Sequence, residues 1–293
     1  MAGFIMAGRM QAAIFVVLST LISLVMPPLI VFSSAAIALI TLRQGWQQGI
    51  LYTVLAIVAL ILVSTAIHQQ PSSALLAGLA TWLPMVVTAS VLALTKSWSR
   101  TLQLVLLLAT AGVLLFHFIV SDAIAYWTTV MEQLKPLLKQ SYQQTDKQID
   151  DMVNNISSWM TGTFAATFAL ITIVSLIIAR NWQALLYNPG GFGEEFRQIT
   201  LGKQAALVFL AGTALAVVSN NHLMIELIMV GIVIFMFQGL SLVHALVKQY
   251  ELNSGWLIGL YILVFILFIQ MIVLLATFGV IDNFVNFRRK KIN

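Results

Sequence analysis

Long apolar stretches that carry almost no charge follow one another along nearly the whole chain. A helix needs about 20 apolar residues to cross the hydrocarbon core of a bilayer, which is about 30 Å thick. Because that core contains no water, the backbone N–H and C=O groups of each stretch must hydrogen-bond to one another, as they do in a helix. The sequence therefore predicts an all-α, polytopic transmembrane helical bundle of eight or nine spans. The apolar runs are 10–26, 28–42, 48–67, 73–95, 101–121, 157–179, 204–219, 222–247 and 254–281.

The composition excludes most classes of soluble protein. Hydrophobic residues make up 60% of the 293 residues and charged residues only 9%, whereas soluble domains have about 45–50% and about 25%. So few charges cannot cover a globular surface in water, which excludes a soluble enzyme, a nucleic-acid-binding domain and a disordered chain. The expected partner is the lipid bilayer, and no nucleic acid is expected. Cysteine is absent, which excludes disulfides and thiolate metal sites.

The basic residues lie at the ends of the apolar runs, so they indicate topology. The first run is expected to be retained, because no signal-peptide cleavage site follows Arg9. If the first two runs form a hairpin at Met26-Pro27-Pro28, rather than one broken helix, the cations between runs share one side. Short loops rich in Lys and Arg stay in the cytoplasm, which predicts a multi-pass protein of the bacterial inner membrane. These cations are Arg9, Arg43, Lys96, Arg100, Arg180, Arg197, Lys203 and Lys248.

The C-terminal tail conflicts with a count of nine crossings. Nine crossings would place Arg288-Arg289-Lys290-Lys291 on the side opposite to the other cations, against the same charge rule. Two runs are therefore suspected of not being single full crossings. Run 204–219 is short, and run 254–281 is long enough to turn back.

The segment 122–156 is the only sizeable polar stretch, with five acidic residues and three lysines. Its apolar residues recur at helical spacing, which predicts two amphipathic helices separated near residues 141–146. They are expected outside the cytoplasm, either lying on the membrane surface or capping the bundle. The chain thus divides into N-terminal transmembrane helices (1–121), this polar segment (122–156), and C-terminal transmembrane helices (157–293) with a cytoplasmic loop at 180–203.

Run 222–247 is the best candidate for lining a solute pathway. On an ideal helix Glu226, Ser241 and His244 fall within about 60° of one another, with Gln238 beside them. Ionisable groups in membrane spans are costly and usually face the protein interior or a wet cavity. His117, the other imidazole at membrane depth, is a further candidate lining residue, although a structural hydrogen bond is the simpler role for it. A wet cavity around Gln238 and His244 would favour transport, whereas a closed, dry core would favour a scaffold.

The loop after residue 179 is the second candidate site. Asn188-Pro189-Gly190-Gly191 is a strong turn signal, and Phe192 and Phe196 follow on a short predicted helix. No Lys-Ser/Thr pair follows the glycines, so this is not a nucleotide phosphate-binding loop. The segment is expected to anchor the loop at the interface, or to act as a gate or partner-docking site. Its candidate residues are Arg180, Trp182, Asn188, Pro189, Gly190, Gly191, Phe192, Glu195, Phe196 and Arg197.

Catalysis finds little support in the sequence. There is no zinc-protease or nucleophile-elbow motif, no pair of acids within a span and no histidine cluster with metal-ligand spacing. We therefore expect no enzyme activity, no metal and no cofactor. No Walker motif is present, so the chain cannot energise transport by itself.

Eight short blocks spread along the chain form a distinctive set: Ala179-Arg180-Asn181-Trp182-Gln183, Asn188-Pro189-Gly190-Gly191-Phe192, Glu195-Phe196, Leu42-Arg43-Gln44-Gly45, Gln238-Gly239-Leu240, Val243-His244, Gly279-Val280-Ile281-Asp282 and Phe287-Arg288-Arg289. In these blocks the chain resembles the YybS-like family of bacterial polytopic membrane proteins, whose activity is unassigned. The resemblance therefore implies no catalytic residue. The family is distantly similar to the substrate-binding subunits of energy-coupling-factor transporters, which implies a small-molecule pocket and a cytoplasmic ATPase partner.

Two functions are consistent with these features. The first is a transport-related protein that binds a small solute between its helices without an ATPase of its own. The alternative is a non-transporting scaffold that recruits a cytoplasmic protein through the 181–203 loop and the basic tail.

Overall fold

The computed structural model describes residues 1–141, 146–219, 221–285, 287 and 288. Within them all regular structure is helical, which confirms the polytopic helical bundle. The helices are α1 (Ala2–Met6), α2 (Arg9–Val25), α3 (Ile30–Gln44), α4 (Trp46–Ala66), α5 (Pro71–Thr95), α6 (Trp98–Ile119), α7 (Ala123–Glu132), α8 (Lys135–Ser141), α9 (Asp146–Ser157), α10 (Met160–Tyr187), α11 (Gly191–Phe196), α12 (Lys203–Ser219), α13 (His222–Gln249), α14 (Gly255–Ile266) and α15 (Phe268–Val285).

Among the described residues, seven helical segments are long and apolar enough to cross a membrane. Three further apolar helices are shorter: α2, α12 and α14. The seven are Pro27–Gln44, which includes a 3₁₀ turn before α3, together with α4, α5, α6, α10, α13 and α15.

The first two apolar runs form a hairpin rather than one broken helix. The 3₁₀ turn Pro27–Leu29 separates α2 from α3, as expected where prolines remove backbone donors. The Tyr52 hydroxyl, near the start of α4, donates to the carbonyl oxygen of Arg9 at 3.2 Å. Since α3 ends just before α4 begins, the start of α2 and the end of α3 lie at the same end of the bundle.

The bundle has two chemically different ends. At one end the Arg43 guanidinium lies 3.8 Å from the centre of the Tyr187 ring, and Phe15 contacts Trp182 edge-on. We call this end, with Arg9, Arg43, Arg180 and the loop after α10, the basic face. At the other end His117 contacts Glu226 and Trp159 contacts His222. The cations between the runs therefore gather at one end, as the charge pattern predicts.

The last apolar run is not a single crossing helix. Leu267, with φ −112° and ψ 49°, interrupts it between α14 and α15. The 12 residues of α14 span only about 18 Å, too short for the hydrocarbon core. The run begins beside the end of α13, where the Leu252 N–H donates to the Val247 carbonyl. It ends with Arg288 bonded to the carbonyl of Ile199, at the basic face again.

This re-entrant course removes the conflict over the C-terminus. Of the two runs suspected of not being single full crossings, run 254–281 is the one that turns back, because it begins and ends at the same end of the bundle. Arg9 and Arg288 consequently lie at the same face. The rest of the basic tail, Arg289, Lys290 and Lys291, lies outside the described residues.

Backbone-to-backbone contact joins α13 and α15. A Cβ added to Gly239 would overlap the carbonyl oxygen of Leu275, and one added to Gly279 would overlap the carbonyl oxygen of Phe235. Small residues allow membrane helices to approach this closely, so their packing surfaces meet without intervening side chains. This contact positions the polar end of α15 against α13.

The polar segment folds as three short helices, α7 to α9, instead of the predicted two. The Trp127 ring stacks between Phe116 and Phe164, with ring centres 5.5 and 4.9 Å apart, and its indole N–H donates to Thr161. Trp127 thereby docks α7 onto α6 and α10. Lys135 pairs with Asp150 at 2.9 Å, and the hydrogen bond that its ammonium donates to this carboxylate raises the pKa of Lys135. Residues 142–145, where the break between the two helices was expected, lie outside the described residues.

Candidate functional site

Helix α10 extends eight residues beyond the predicted end of its run. The run was expected to stop at residue 179, but the helix continues to Tyr187. Arg180 and Trp182 are therefore helical, and the loop proper is 188–202. Arg180 is a good helix former and lies within the helix, where it bonds Glu195 with 2.9 Å from Nε and 2.5 Å from Nη2. This two-point contact also holds α11 against α10.

The loop turns sharply before α11. Gly190 has φ +89°, a backbone conformation that favours glycine. The Asn188 carbonyl accepts the Gly191 N–H at 3.1 Å, which closes the turn around Pro189. The predicted turn chemistry of Asn188-Pro189-Gly190-Gly191 is thus observed.

The two loop phenylalanines point into the protein. Phe192 packs against Trp98 with ring centres 6.1 Å apart, and Phe196 is 8% exposed and meets His244 edge-on at 5.4 Å. Their rings are used in internal packing, which is the anchoring role considered for this loop. The exposed surface of the loop instead includes Glu194 and Gln198.

A buried polar network fastens the loop to α13 and α15. We call it the Arg288 network. The Arg288 guanidinium donates to one oxygen of Asp282, with 3.0 Å from Nε and 2.8 Å from Nη2. The same guanidinium donates to the carbonyls of Arg197 and Ile199 and contacts the Ser241 hydroxyl at 3.2 Å. Ser241 in turn donates to the Phe196 carbonyl at 2.7 Å. One side chain near the C-terminus thus closes the end of the loop.

Two amides extend the network to the start of α12. Gln238, which is fully buried, accepts the Leu201 N–H at 2.9 Å and donates to Asp282 at 3.2 Å. Asn283 accepts the Gly202 N–H at 2.8 Å and donates to the Gly279 carbonyl at 2.9 Å. The second oxygen of Asp282, Oδ1, is buried and has no hydrogen-bond partner among the described residues.

His117 and Glu226 form a separate cluster at the opposite end of α13. His117 Nε2 lies 2.6 Å from Glu226 Oε2, which is hydrogen-bonding distance. The Glu226 side chain is 4% exposed and that of His117 28%. Gly162 makes room for this pair, because a Cβ there would lie 2.8 Å from the Glu226 Cα.

The predicted polar stripe of α13 is therefore divided among three environments. Glu226 joins His117 at one end, and Gln238 and Ser241 belong to the Arg288 network about 20 Å away. His244 hydrogen-bonds the Tyr261 hydroxyl of α14 at 2.8 Å. These residues do not surround a common space.

Sequence reasoning missed Asp282, Asn283 and Arg288 as site residues. Run 254–281 ends one residue before Asp282, so hydropathy alone does not mark Asp282 as an acid at membrane depth. The sequence feature that indicates this site is an Asp-Asn pair at the end of an apolar run, with an arginine six residues after the aspartate. An acid at that place requires a nearby cation, and Arg288 supplies it.

Two hollows lie near these residues. An apolar groove of about 600 Å³ runs between the end of α13 and α14, and includes Val247, Trp256 and Gly259. A smaller polar pocket of about 200 Å³ lies at the basic face. Neither hollow is lined by Glu226, Gln238 or Ser241. The described residues include no group of three or more His, Asp or Glu that could hold a metal ion.

The comparisons with known proteins identify a family but no function. No curated protein and no solved structure matches the chain significantly. The YybS-like name and the similarity to energy-coupling-factor subunits stay predictions, because no match bears on them. The model of one family, DUF2232, matches residues 13–283, which is nearly the whole chain. This family is described as 'predicted membrane protein'. The chain therefore belongs to the DUF2232 family of membrane proteins.

Proposed function

We propose that this protein is a scaffold of the bacterial inner membrane that recruits a cytoplasmic protein partner at its basic face. The observation that supports this function is the Arg288 network. It uses Gln238, Ser241 and Asp282 to hold the loop 188–202, so these side chains do not face a solute. The sequence-based expectation is that a closed core around Gln238 and His244 favours a scaffold, and the full burial of Gln238 supports that part of it.

The held loop offers a pre-organised surface. Binding costs less when the contacting segment is already ordered, because little conformational entropy is lost on association. Glu194 and Gln198 are exposed on the loop, and Lys203 is exposed where it ends. Arg43 and Arg100 are exposed at the same face, so an acidic partner surface would be complementary to it.

Site-specific photo-crosslinking in native membranes tests this function. A photo-crosslinking residue at Glu194 or Gln198 is expected to give a discrete protein adduct, and one at Gln133, exposed at the opposite end, is not. Arg288→Gln should weaken the adduct, because it releases the loop while leaving the crosslinking position unchanged. The same background at all three positions would contradict the scaffold.

Transport is the second candidate, and the His117–Glu226 pair favours it. This pair is an ionisable couple at membrane depth with one member partly open, which is typical of groups that exchange a proton or hold a charged solute. In this reading a solute binds near Glu226, and the Arg288 network closes the basic face.

Native mass spectrometry of the purified protein tests transport. The expected result is a co-purifying small molecule whose occupancy falls at least about tenfold in Glu226→Gln, which keeps the shape of the side chain but removes its charge. Glu251→Gln, at an exposed turn beyond α13, is the matched control and should retain the molecule. Absence of any bound small molecule, or equal loss in both variants, would count against this function.

A further inference from the structure

The polar pocket at the basic face has the size of a single functional group. Its volume of about 200 Å³ is below the 300–1,000 Å³ range of drug-sized ligand sites. It lies between the end of α3, the end of α10 and the loop. Its lining residues are Arg43, Arg180, Gln183, Ala184, Tyr187, Asn188, Phe192 and Glu195.

The pocket carries an excess of positive charge. Two arginines and one glutamate line it, and the glutamate is bonded at both oxygens to Arg180. Arg43 stacks over the Tyr187 ring and has no acidic partner in the described part of the chain. The ring fixes the guanidinium at the pocket wall without neutralising it.

The pocket is also rich in hydrogen-bond donors. Within the described residues, the Asn188 side chain makes no hydrogen bond, and Gln183 uses only its oxygen, toward Arg180. The two amide groups and Arg43 can therefore donate into the pocket, whereas the one carboxylate is already occupied. This combination suits an anion with several acceptor oxygens.

We propose that this pocket binds a phosphate-type oxyanion through Arg43. A guanidinium matches two phosphate oxygens at once and is weakly hydrated, which makes arginine suited to this ligand. The pocket lies at the ends of two membrane helices, so the group can come from a phospholipid headgroup or from a soluble phosphate. The site goes beyond the proposed function and requires no recruited protein.

The test uses the full-length protein in phosphate-free, neutral detergent and in nanodiscs. Equilibrium dialysis with labelled inorganic phosphate measures the soluble source. Native mass spectrometry of protein released from nanodiscs of phosphatidylcholine with or without phosphatidylglycerol measures the lipid source. Arg43→Gln should weaken binding about ten- to a hundredfold, as expected for loss of charged hydrogen-bond donors. Arg43 is exposed, and among the described residues it makes no ion pair or side-chain hydrogen bond, so this variant should fold.

Arg100→Gln is the matched control, because Arg100 is exposed at the same face but does not line the pocket. It should bind like the unchanged protein. Retention of inorganic phosphate alone assigns a soluble source, and retention of either phospholipid alone assigns a lipid source, since both headgroups carry a phosphate. The proposal is overturned if neither is retained, if Arg43→Gln binds normally, or if both variants lose binding equally, since the last result would mean diffuse surface charge.

Discussion

Arg288→Gln is expected to lower the free energy of unfolding by about 3–5 kcal/mol, the usual cost of leaving one member of a buried ion pair without its partner. The Asp282 side chain is 1% exposed and that of Arg288 19%, so water cannot replace the lost cation. The carbonyls of Arg197 and Ile199 would also lose their donor. Denaturant titration in a mild detergent measures the loss, and trypsin cleavage after Arg197 reports release of the loop.

Two further variants separate this effect from a general loss of positive charge. Arg100→Gln removes an exposed cation from the same face that pairs with no carboxylate of the described residues, and should change stability little. The double variant Asp282→Asn/Arg288→Gln removes both charges and should recover part of the stability. If Arg288→Gln unfolds like Arg100→Gln, the Arg288 network does not fasten the loop.

Gly239→Ala is expected to destabilise the protein by about 3 kcal/mol or more, at the upper end of the cost of overpacking. The added methyl group would meet the backbone of Leu275, which cannot rotate away as a side chain can. The two helices must move apart, and Gln238 moves with α13 away from Asp282. The unfolding free energy and the rate of trypsin cleavage at the loop both report this separation.

Gly212→Ala supplies the control, because Gly212 lies in α12 and a Cβ there meets nothing within 4 Å. It should be neutral or stabilising by up to about 1 kcal/mol, since alanine has the higher helix propensity. Equal effects of the two substitutions would show that propensity, and not contact between α13 and α15, decides the outcome. The contrast therefore isolates the close approach.

The positions of most helices could be predicted because they depend on the chain alone. Run 73–95 corresponds to α5, and run 204–219 to α12. The errors lie where tertiary contacts alter the local pattern. Helix α10 continues through Arg180, a good helix former that pairs with Glu195. The length of run 254–281 indicates that it can turn back, but its hydropathy does not locate the break at Leu267.

The candidate site could be predicted only in part. Glu226 and His117 were both singled out, but their contact joins residues 109 positions apart. Gln238 was identified while its partner Asp282 was not, because Asp282 resembles an ordinary polar residue at the end of a span. Gly45-x-x-x-Gly49 and Gly255-x-x-x-Gly259 have the spacing of close helix contacts, yet the tightest backbone contact uses Gly239 and Gly279.

By itself, the amino-acid sequence determined that this protein is a helical membrane protein with its cations gathered at one end. Those properties follow from the length of the uncharged runs and from the position of the charges beside them. The free energy of transferring a run or a charge into lipid depends on the residues of that segment alone, so it can be read from the sequence. Only the tertiary structure decided which buried polar groups meet and where the chain turns back. In a low-dielectric interior each polar group needs a hydrogen-bond partner. The sequence offers several possible partners for each group, and only the packing of the helices brings one of them within hydrogen-bond distance.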